Sequence, residues 1–566
     1  MYTGQHLISV NLEDYFQVAP MRRVIPSKNW PRFELRIEQS TLAALDLLDR
    51  HGHKATFFVL GWLAEHCPDL IAEVARRGHM VASKGYLHRA FSQLTLEEFD
   101  ADLRRSQDAI GNAIGQSISG YRIAEGSLPI DNTRAFEVLA RAGIKYDSSI
   151  RPFGLAFVRH AEWRNIRTLS GRTASTGADW SLTEVPLSSD TLLGMPLPMT
   201  GGNYLRQMPD ALYKRQLRSF LDRTHAPWHL YFHVWELDPN QPRVSATTRL
   251  GRIRQYRNLE KMRERLDELL ASYKFRSIES HLGLVPRPFT PARPKPAVLG
   301  AIAAATAEKT RATIVVPCFN EEESLPYLAS TLESFAKENA GSLMLSYVFV
   351  DDGSRDRTWE KLHELFGTRS DCKLVKHPKN MGIAAATMTG IRHANDEVVC
   401  GIDCDCSFDP HELAKMIPLL KPGIDMVQAS PYHRDGGVVN VPAWRLALSR
   451  NLSRIYSLIL THRFASYTAC FRVYRRSAIS KITLSNNGFM GIMEMFILLD
   501  RSGSKIVEYP AVLETRLLGV SKMKTLSVIR SHLGMIAELL LKPGSVAKRA
   551  NVTRPAGTPI ATEKIL

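Results

Sequence analysis

The chain has 566 residues, more than one hydrophobic core can serve, so two or more domains are expected. Its hydrophobic share of 44% and charged share of 23% are those of an ordinary globular protein. A formal net charge of +16 points to an anionic partner such as nucleotide phosphates or acidic lipid. Basic runs interleaved with stacking aromatics are not evident, so nucleic acid is not expected. Seven cysteines without paired spacing fit reduced thiols. No apolar run reaches the length that crosses a bilayer, and Met1 to His6 lacks a signal-peptide layout, so the expectation is a cytoplasmic protein with, at most, peripheral contact at the inner face of the membrane.

In the first half, His6 to Val10 reads as a strand running into Asn11-Leu-Glu13-Asp14-Tyr-Phe. Thr41 to Arg50 reads as a helix, Lys54 to Leu60 as a buried strand, and Asp69 to Arg77 as another helix. Gly78 to His88 carries a strand into a loop, and Thr95 with Glu98 forms a capping box that opens a long helix. Gly120-Tyr-Arg122-Ile-Ala124, Tyr146-Asp-Ser-Ser149, Thr183-Glu184-Val-Pro186 and Tyr231-Phe-His233-Val-Trp235-Glu236 follow.

In this order the pieces resemble the polysaccharide deacetylase (NodB-like) superfamily over about residues 6 to 284, which implies a distorted (β/α) barrel that removes N-acyl groups from amino sugars. The resemblance implies an acidic opening motif as base and metal carboxylate, a His-x-x-x-His loop as metal ligands, an orienting Arg and a late His acid. Here Asn11 stands at the usual Asp, and an amide cannot take the proton. Lys84 stands at the first His, and an ammonium has no lone pair for zinc. Asp14, His88, Arg122 and His233 remain, and the sequence leaves open whether Glu13 or Asp14 matches the metal carboxylate. A catalytic zinc takes three protein ligands, so zinc is not expected in this domain, and its deacetylase activity is doubtful. Lys84 is expected to replace the ion's charge by pairing with Glu13 or Asp14.

Five prolines between Pro286 and Pro296, then an Ala-rich piece, mark residues 285–311 as a semi-rigid linker. The second half repeats strand–helix alternation without repeating the first half's sequence. Ala312 to Pro317 is a buried strand ending in Cys-Phe-Asn320-Glu321-Glu322, and Glu323 to Lys337 an amphipathic helix. Leu345 to Val350 is a second strand, ending in Asp351-Asp352-Gly353-Ser354. Asp356 to Thr358 caps a helix that runs to Phe366; the loop His377 to Gly382 leads to a helix over Ile383 to His393. The run Glu397 to Ile402 then climbs to Asp403-Cys404-Asp405, whose carboxylates share a face if the strand continues through them. Paired carboxylates of this kind suit Mg²⁺ or Mn²⁺ completed by substrate phosphates, whereas Cys404 and Cys406 read as small core residues. Acid-rich turns after successive strands line one edge of a parallel sheet, where such sheets bind ligands.

These motifs resemble family 2 glycosyltransferases of the GT-A (Rossmann-like) fold over residues 312–525. The later Arg516-Leu-Leu-Gly519-Val-Ser521-Lys522 resembles the loop of dolichyl- and polyprenyl-phosphate sugar transferases. The resemblance implies that Pro317, Glu321 and Asp352 hold the nucleoside of a nucleotide-sugar donor, Asp403 and Asp405 the cation, and Arg516, Ser521 and Lys522 the acceptor phosphate. It also implies a catalytic role for Asp405 and an acid near the acceptor at Glu494. A lipid phosphate is already ionised at neutral pH and needs no general base, which favours it as the inverting nucleophile. Two other readings stay open: a saccharide hydroxyl acceptor, which would make the chain a polysaccharide-building bifunctional enzyme, and a carbohydrate-binding assembly scaffold. Residues 526–566 read as an amphipathic helix, Thr525 to Leu541, and a disordered tail; with Ala443 to Leu460 that helix could lie on an anionic membrane.

Overall fold

The computed structural model describes residues 4–131, 133–153, 157–173, 177–192, 195–284, 309–439, 441, 443–514, 516–519 and 525–541. The expected linker lies outside them except for its last three residues, as do Ser521, Lys522 and the tail from 542 onward. Backbone contacts divide the chain into two compact units, one built chiefly from residues 1–300 and the other from 301–566.

The N-terminal unit is a β/α array. Strand β1 (His6–Leu12) is buried along its whole length, as expected of a parallel strand covered on both faces. It is followed by β2 (Thr56–Val59), β3 (Met80–Ser83), β4 (Gly120–Tyr121), β5 (Tyr146–Asp147), β6 (Arg167–Arg172), β7 (Asp179–Glu184), the hairpin β8 (Ser189–Leu192) and β9 (Met195–Pro198), then β10 (His229–His233) and β11 (Phe275–Arg276). The main sheet runs β10-β1-β2-β3-β4-β5-β7-β6, with β11 beside β1; its pairs are parallel except β6 with β7. The register sets Asn11 beside His233, Tyr121 beside Asp147, and Asp147 beside Glu184. Because the strands run the same way, their carboxyl ends bring Asn11, Lys84, Arg122, Asp147, Glu184 and His233 to one edge of the sheet.

Helix Leu96–Ile114 begins with the expected reciprocal cap of Thr95 and Glu98. The helix expected from Thr41 starts earlier, at Ile37. The Asp14 carboxylate accepts from Arg36 N (2.8 Å) and Ile37 N (3.0 Å), satisfying donors that the first turn cannot satisfy itself.

The C-terminal unit is a seven-stranded sheet between two helical layers. Its strands are β12 (Thr310–Cys318), β13 (Leu343–Asp351), β14 (Cys372–Lys376), β15 (Val398–Gly401), β16 (Met426–Ser430), β18 (Arg472–Arg475) and β19 (Ile506–Pro510); β17 (Gly437–Val439) pairs separately with β20 (Val512–Glu514). The order is β14-β13-β12-β15-β18-β16-β19, with β18 antiparallel to both neighbours. Alternation along β12 and β13 explains the two cores. Ala312, Ile314, Val316, Tyr347 and Phe349 pack into one layer, with helices Leu325–Glu338 and Thr358–Phe366. Val315, Val348 and Val350 point into the other, with Ile383–His393 and Phe489–Arg501. Successive strands step outward from β12 to β14, then the chain crosses back to place β15 on the other side of β12. That reversal is a topological switch point, where open α/β sheets form a ligand crevice at their carboxyl ends. No helix among the described residues is long and apolar enough to cross a membrane.

Candidate functional site

The crevice is built from the turns after β12, β13 and β15. The expectation that Asp403 and Asp405 share a strand face is corrected: β15 stops at Gly401, and the Asp-Cys-Asp lies in the following turn, which Cys406 closes at a φ of 53°. Asp405 Oδ1 accepts from Ser407 N (2.9 Å) and Oγ (2.7 Å), leaving Oδ2 toward the crevice. Asp403 is half-buried and meets the Cys470 thiol. Burial, and then the Asp405 carboxylate beside it, push the Asp403 carboxyl up to about 7 against the opposing pull of Arg516. Two carboxylates this close need a cation. Arg516 supplies one: its Nε donates to Asp405 Oδ2 (2.6 Å), while Nη2 and Nη1 donate to Glu321 Oε1 (2.9 Å) and Oε2 (3.2 Å). The guanidinium thus bridges acids from the ends of β12 and β15, the two strands that flank the switch point.

The remaining expected residues divide. Pro317 lies within β12. Asp352 is turned onto the loop after β14, accepting from Met381 N and Gly382 N (2.8 Å each) and meeting His377 Nδ1 at 2.7 Å. Gly382 has φ +103°, and a Cβ there would sit 2.4 Å from Asn487 O, so the loop tolerates no side chain at this point. Glu494 is buried. Its oxygens accept from Ser485 N (3.1 Å), Ser485 Oγ (2.5 Å), Asn486 N (2.8 Å) and Asn486 Nδ2 (3.0 Å), so it anchors the loop before its own helix. Arg516, expected on the acceptor phosphate, lies on the carboxylates of Glu321 and Asp405. Ser521 and Lys522 lie outside the described residues. The clasp residue His377 and the thiol of Cys470 carry no local sequence signal for these contacts; only the fold brings them in.

In the N-terminal unit Glu13, not Asp14, occupies the centre. Lys84 Nζ donates to Glu13 Oε2, His88 Nε2 lies 3.4 Å from the same oxygen, and His233 Nδ1 is 2.5 Å from Oε1. Burial opposes ionisation of Glu13, but Lys84, His233 and His88 together hold its carboxyl well below the usual range. Burial pushes Lys84 down to about 8 against the pull of Glu13, so the pair is charged at neutral pH. Burial takes His88 down to about 3, which leaves its ring neutral. Asn11 Oδ1 accepts from Arg122 Nη1 (3.1 Å), and Arg122 also donates to Ser148 O (3.0 Å). These groups do not fit a zinc ion, because the Lys84 ammonium already donates to the carboxylate that would have to ligate it. Among the described residues no group of three or more His, Cys, Asp or Glu is arranged to hold a metal. Sequence reasoning missed the buried Asp147–Glu184 pair, which the β5–β7 register creates. Burial raises both carboxyls, Asp147 to about 6.

Residues 313–483 match the family model for glycosyl transferase family 2. Residues 31–146 match polysaccharide deacetylase, and 148–283 a domain of unknown function, DUF3473. A dolichol-phosphate mannosyltransferase of Pyrococcus furiosus is 30% identical over 216 residues, 38% of this chain and 59% of that protein. This chain therefore spans less than two thirds of that relative's length. A polyprenol monophosphomannose synthase of Mycolicibacterium smegmatis is 31% identical over 242 residues, covering 41% of this chain and 89% of that protein. The chain belongs to glycosyl transferase family 2. Its family 2 unit is fused to a polysaccharide deacetylase-like unit. Among solved structures, a family 4 carbohydrate esterase from Streptomyces lividans is 16% identical with a TM-score of 0.26, over 48% of this chain and 90% of that one.

Proposed function

We propose that the family 2 unit transfers a sugar from a nucleotide donor to a polyprenyl phosphate, with inversion at the anomeric carbon. The observation that carries this reading is the cationic bridge of Arg516 between Glu321 and Asp405 at the switch point. It marks a crevice whose acids already accept a cation in place of a metal ion. Asp403 and Asp405 fit Mg²⁺ or Mn²⁺, hard ions that take one or two carboxylates and complete their shell with phosphate oxygens. When bound, such an ion stabilises the departing nucleoside diphosphate. Glu321 and the Asp352-clasped loop shape the nucleoside side of the crevice. A metal ion on Asp403 and Asp405 would take over the charge that Arg516 now balances, and the planar fork of Arg516 would suit the acceptor phosphate. The engagement of Glu494 by its own loop fits a nucleophile that needs no general base. The names of the two relatives above support the same acceptor class for this chain.

Peripheral membrane contact is supported by helix Ala443–Ile459. Its exposed residues Trp444 (58%), Leu448, Ile455 and Leu458 (82%) recur every three or four positions or a multiple of them, so they form one stripe. Leu533, Leu540 and Leu541 of helix Thr525–Leu541 are also exposed. In the N-terminal unit a cleft of about 320 Å³ reaches His88 beside Phe16 and Trp30, which supports retained binding of an N-acyl sugar without its hydrolysis.

The test is incubation of purified protein with UDP- and GDP-sugars, Mg²⁺ or Mn²⁺ and a short-chain polyprenyl phosphate. The expected product is a lipid-phosphate sugar that partitions into organic solvent. Transfer only to free oligosaccharide would overturn the acceptor assignment.

A further inference from the structure

We propose that helix Arg249–Tyr256 of the N-terminal unit is a docking surface for an anionic phospholipid bilayer. This inference does not rest on the sugar-transfer reading and concerns a different part of the chain from the apolar helices above. Between Pro239 and Leu259 the sequence has five arginines and no Asp or Glu. Arg243, Arg249, Arg252, Arg254 and Arg257 are all exposed.

The helix is fixed rather than loosely attached. Thr248 Oγ1 accepts from Gly251 N at 3.0 Å to start it. At its other end the buried Arg206, itself held by Glu236 at 3.0 Å, donates to Arg257 O (2.6 Å) and Arg254 O (2.8 Å). A cation on the last carbonyls satisfies acceptors that have no partner within the helix. The inner face is Gly251 and Gln255, one turn apart. Gly251 meets the Thr247 hydroxyl so closely that a Cβ would lie 2.7 Å from it, and Gln255 Nε2 donates to Gln241 Oε1 at 2.9 Å.

At about 100° per residue, the direction opposite Gly251 and Gln255 is that of Ile253. Ile253 is 41% exposed and Leu250, on the same outward arc, 58%. Arg249, Arg254 and Arg257 surround them. A helix facing only water places polar groups at its outermost point. This one places aliphatic side chains there within a ring of guanidinium groups, the arrangement that buries apolar tips at the acyl boundary while arginines meet lipid phosphates. A soluble polyanion would use the arginines but not Leu250 and Ile253. The chain's own segments outside the described residues are poor occupants: 285–308 has three Lys or Arg against one acid, and 542–566 has five against one.

The test is co-sedimentation of the full chain with vesicles of phosphatidylcholine alone or of equimolar phosphatidylcholine and phosphatidylglycerol. The wild type is expected to bind the anionic vesicles selectively. Arg249→Ala/Arg254→Ala should weaken binding by about 25-fold, at about fivefold per arginine. Leu250→Ser/Ile253→Ser should weaken it by about tenfold at unchanged charge. Both losses should persist in a Trp444→Ser/Leu458→Ser background, and thermal melting should be unchanged because all four side chains on the helix are exposed. Equal binding to both vesicle types overturns the proposal, as does binding indifferent to both variants of this helix. So does an oligonucleotide that binds as tightly as the anionic vesicles, combined with an apolar variant that behaves as wild type.

Discussion

Lys84→Met isolates the interaction that most separates the N-terminal unit from a hydrolytic site. Lys84 and Glu13 are both buried, with side chains 0% and 1% exposed, and they form a direct ion pair. Removing one partner of such a pair costs about 3–5 kcal/mol, because the surviving charge stays buried without its counter-ion. For a unit of this size each kcal/mol lowers the melting temperature by about 2–4 °C, so a fall of roughly 6–20 °C is expected. Six of the eight tryptophans lie within residues 1–284, so tryptophan fluorescence during urea or thermal melting of the full chain reports mainly on this unit. Glu13→Gln should also destabilise, and the double variant should lose less than the sum of the two by more than about 0.5 kcal/mol.

The sign of the pH dependence follows from Glu13. Its folded carboxyl is held below its ordinary value of 4.5, so the stability it contributes is present above that pH and lost as pH falls through the depressed folded value. The deficit of Lys84→Met should therefore be full at neutral pH and shrink in acid, where the unpaired carboxyl takes a proton. Additive single-variant effects, or a deficit that grows in acid, would refute the ion pair as the centre of this site.

Glu494→Gln should cost about 1–3 kcal/mol through the loop at Ser485 and Asn486, and lower transfer less than Asp405→Ala does; chemical denaturation beside a transfer assay measures both. Arg516→Ala should tighten Mn²⁺ binding in the absence of donor by up to about tenfold, since Asp405 loses a competing cation, yet raise the KM for polyprenyl phosphate; calorimetry and acceptor titration separate the two effects. Asn11→Asp with Lys84→His should create a zinc site beside Glu13 and His88, detected as bound metal after dialysis, and a gain of deacetylation on an N-acetylglucosamine oligomer would identify those two positions as what the unit lacks.

Much of the fold was legible because buried parallel strands are continuous apolar runs that stop at acidic or glycine-containing turns. Ala312 to Cys318, Leu345 to Asp351 and His6 to Leu12 are of that kind. The Thr95–Glu98 cap was legible because its chemistry is confined to one turn. What could not be read depends on contacts between distant residues. Helix Ile37–Arg50 starts early because Asp14 reaches its first amides. The choice between Glu13 and Asp14 is made by where Lys84, His88 and His233 arrive from β3, its following loop and β10. The bridge from Arg516 to Glu321 and Asp405 spans most of its unit in sequence, so motif reading assigned Arg516 only to the acceptor. Glu494 illustrates the converse: its sequence context suggests a site acid, while its hydrogen bonds are those of a loop anchor.

We propose that cation-dependent chemistry belongs to the crevice at Asp403 and Asp405 and not to the deacetylase-like unit. It is tested most directly by titrating Mn²⁺ into the full chain with a nucleoside diphosphate present, for the wild type, Asp405→Ala and His88→Ala. One site is expected, abolished by Asp405→Ala and left intact by His88→Ala. Binding that survives Asp405→Ala and disappears in His88→Ala would contradict it.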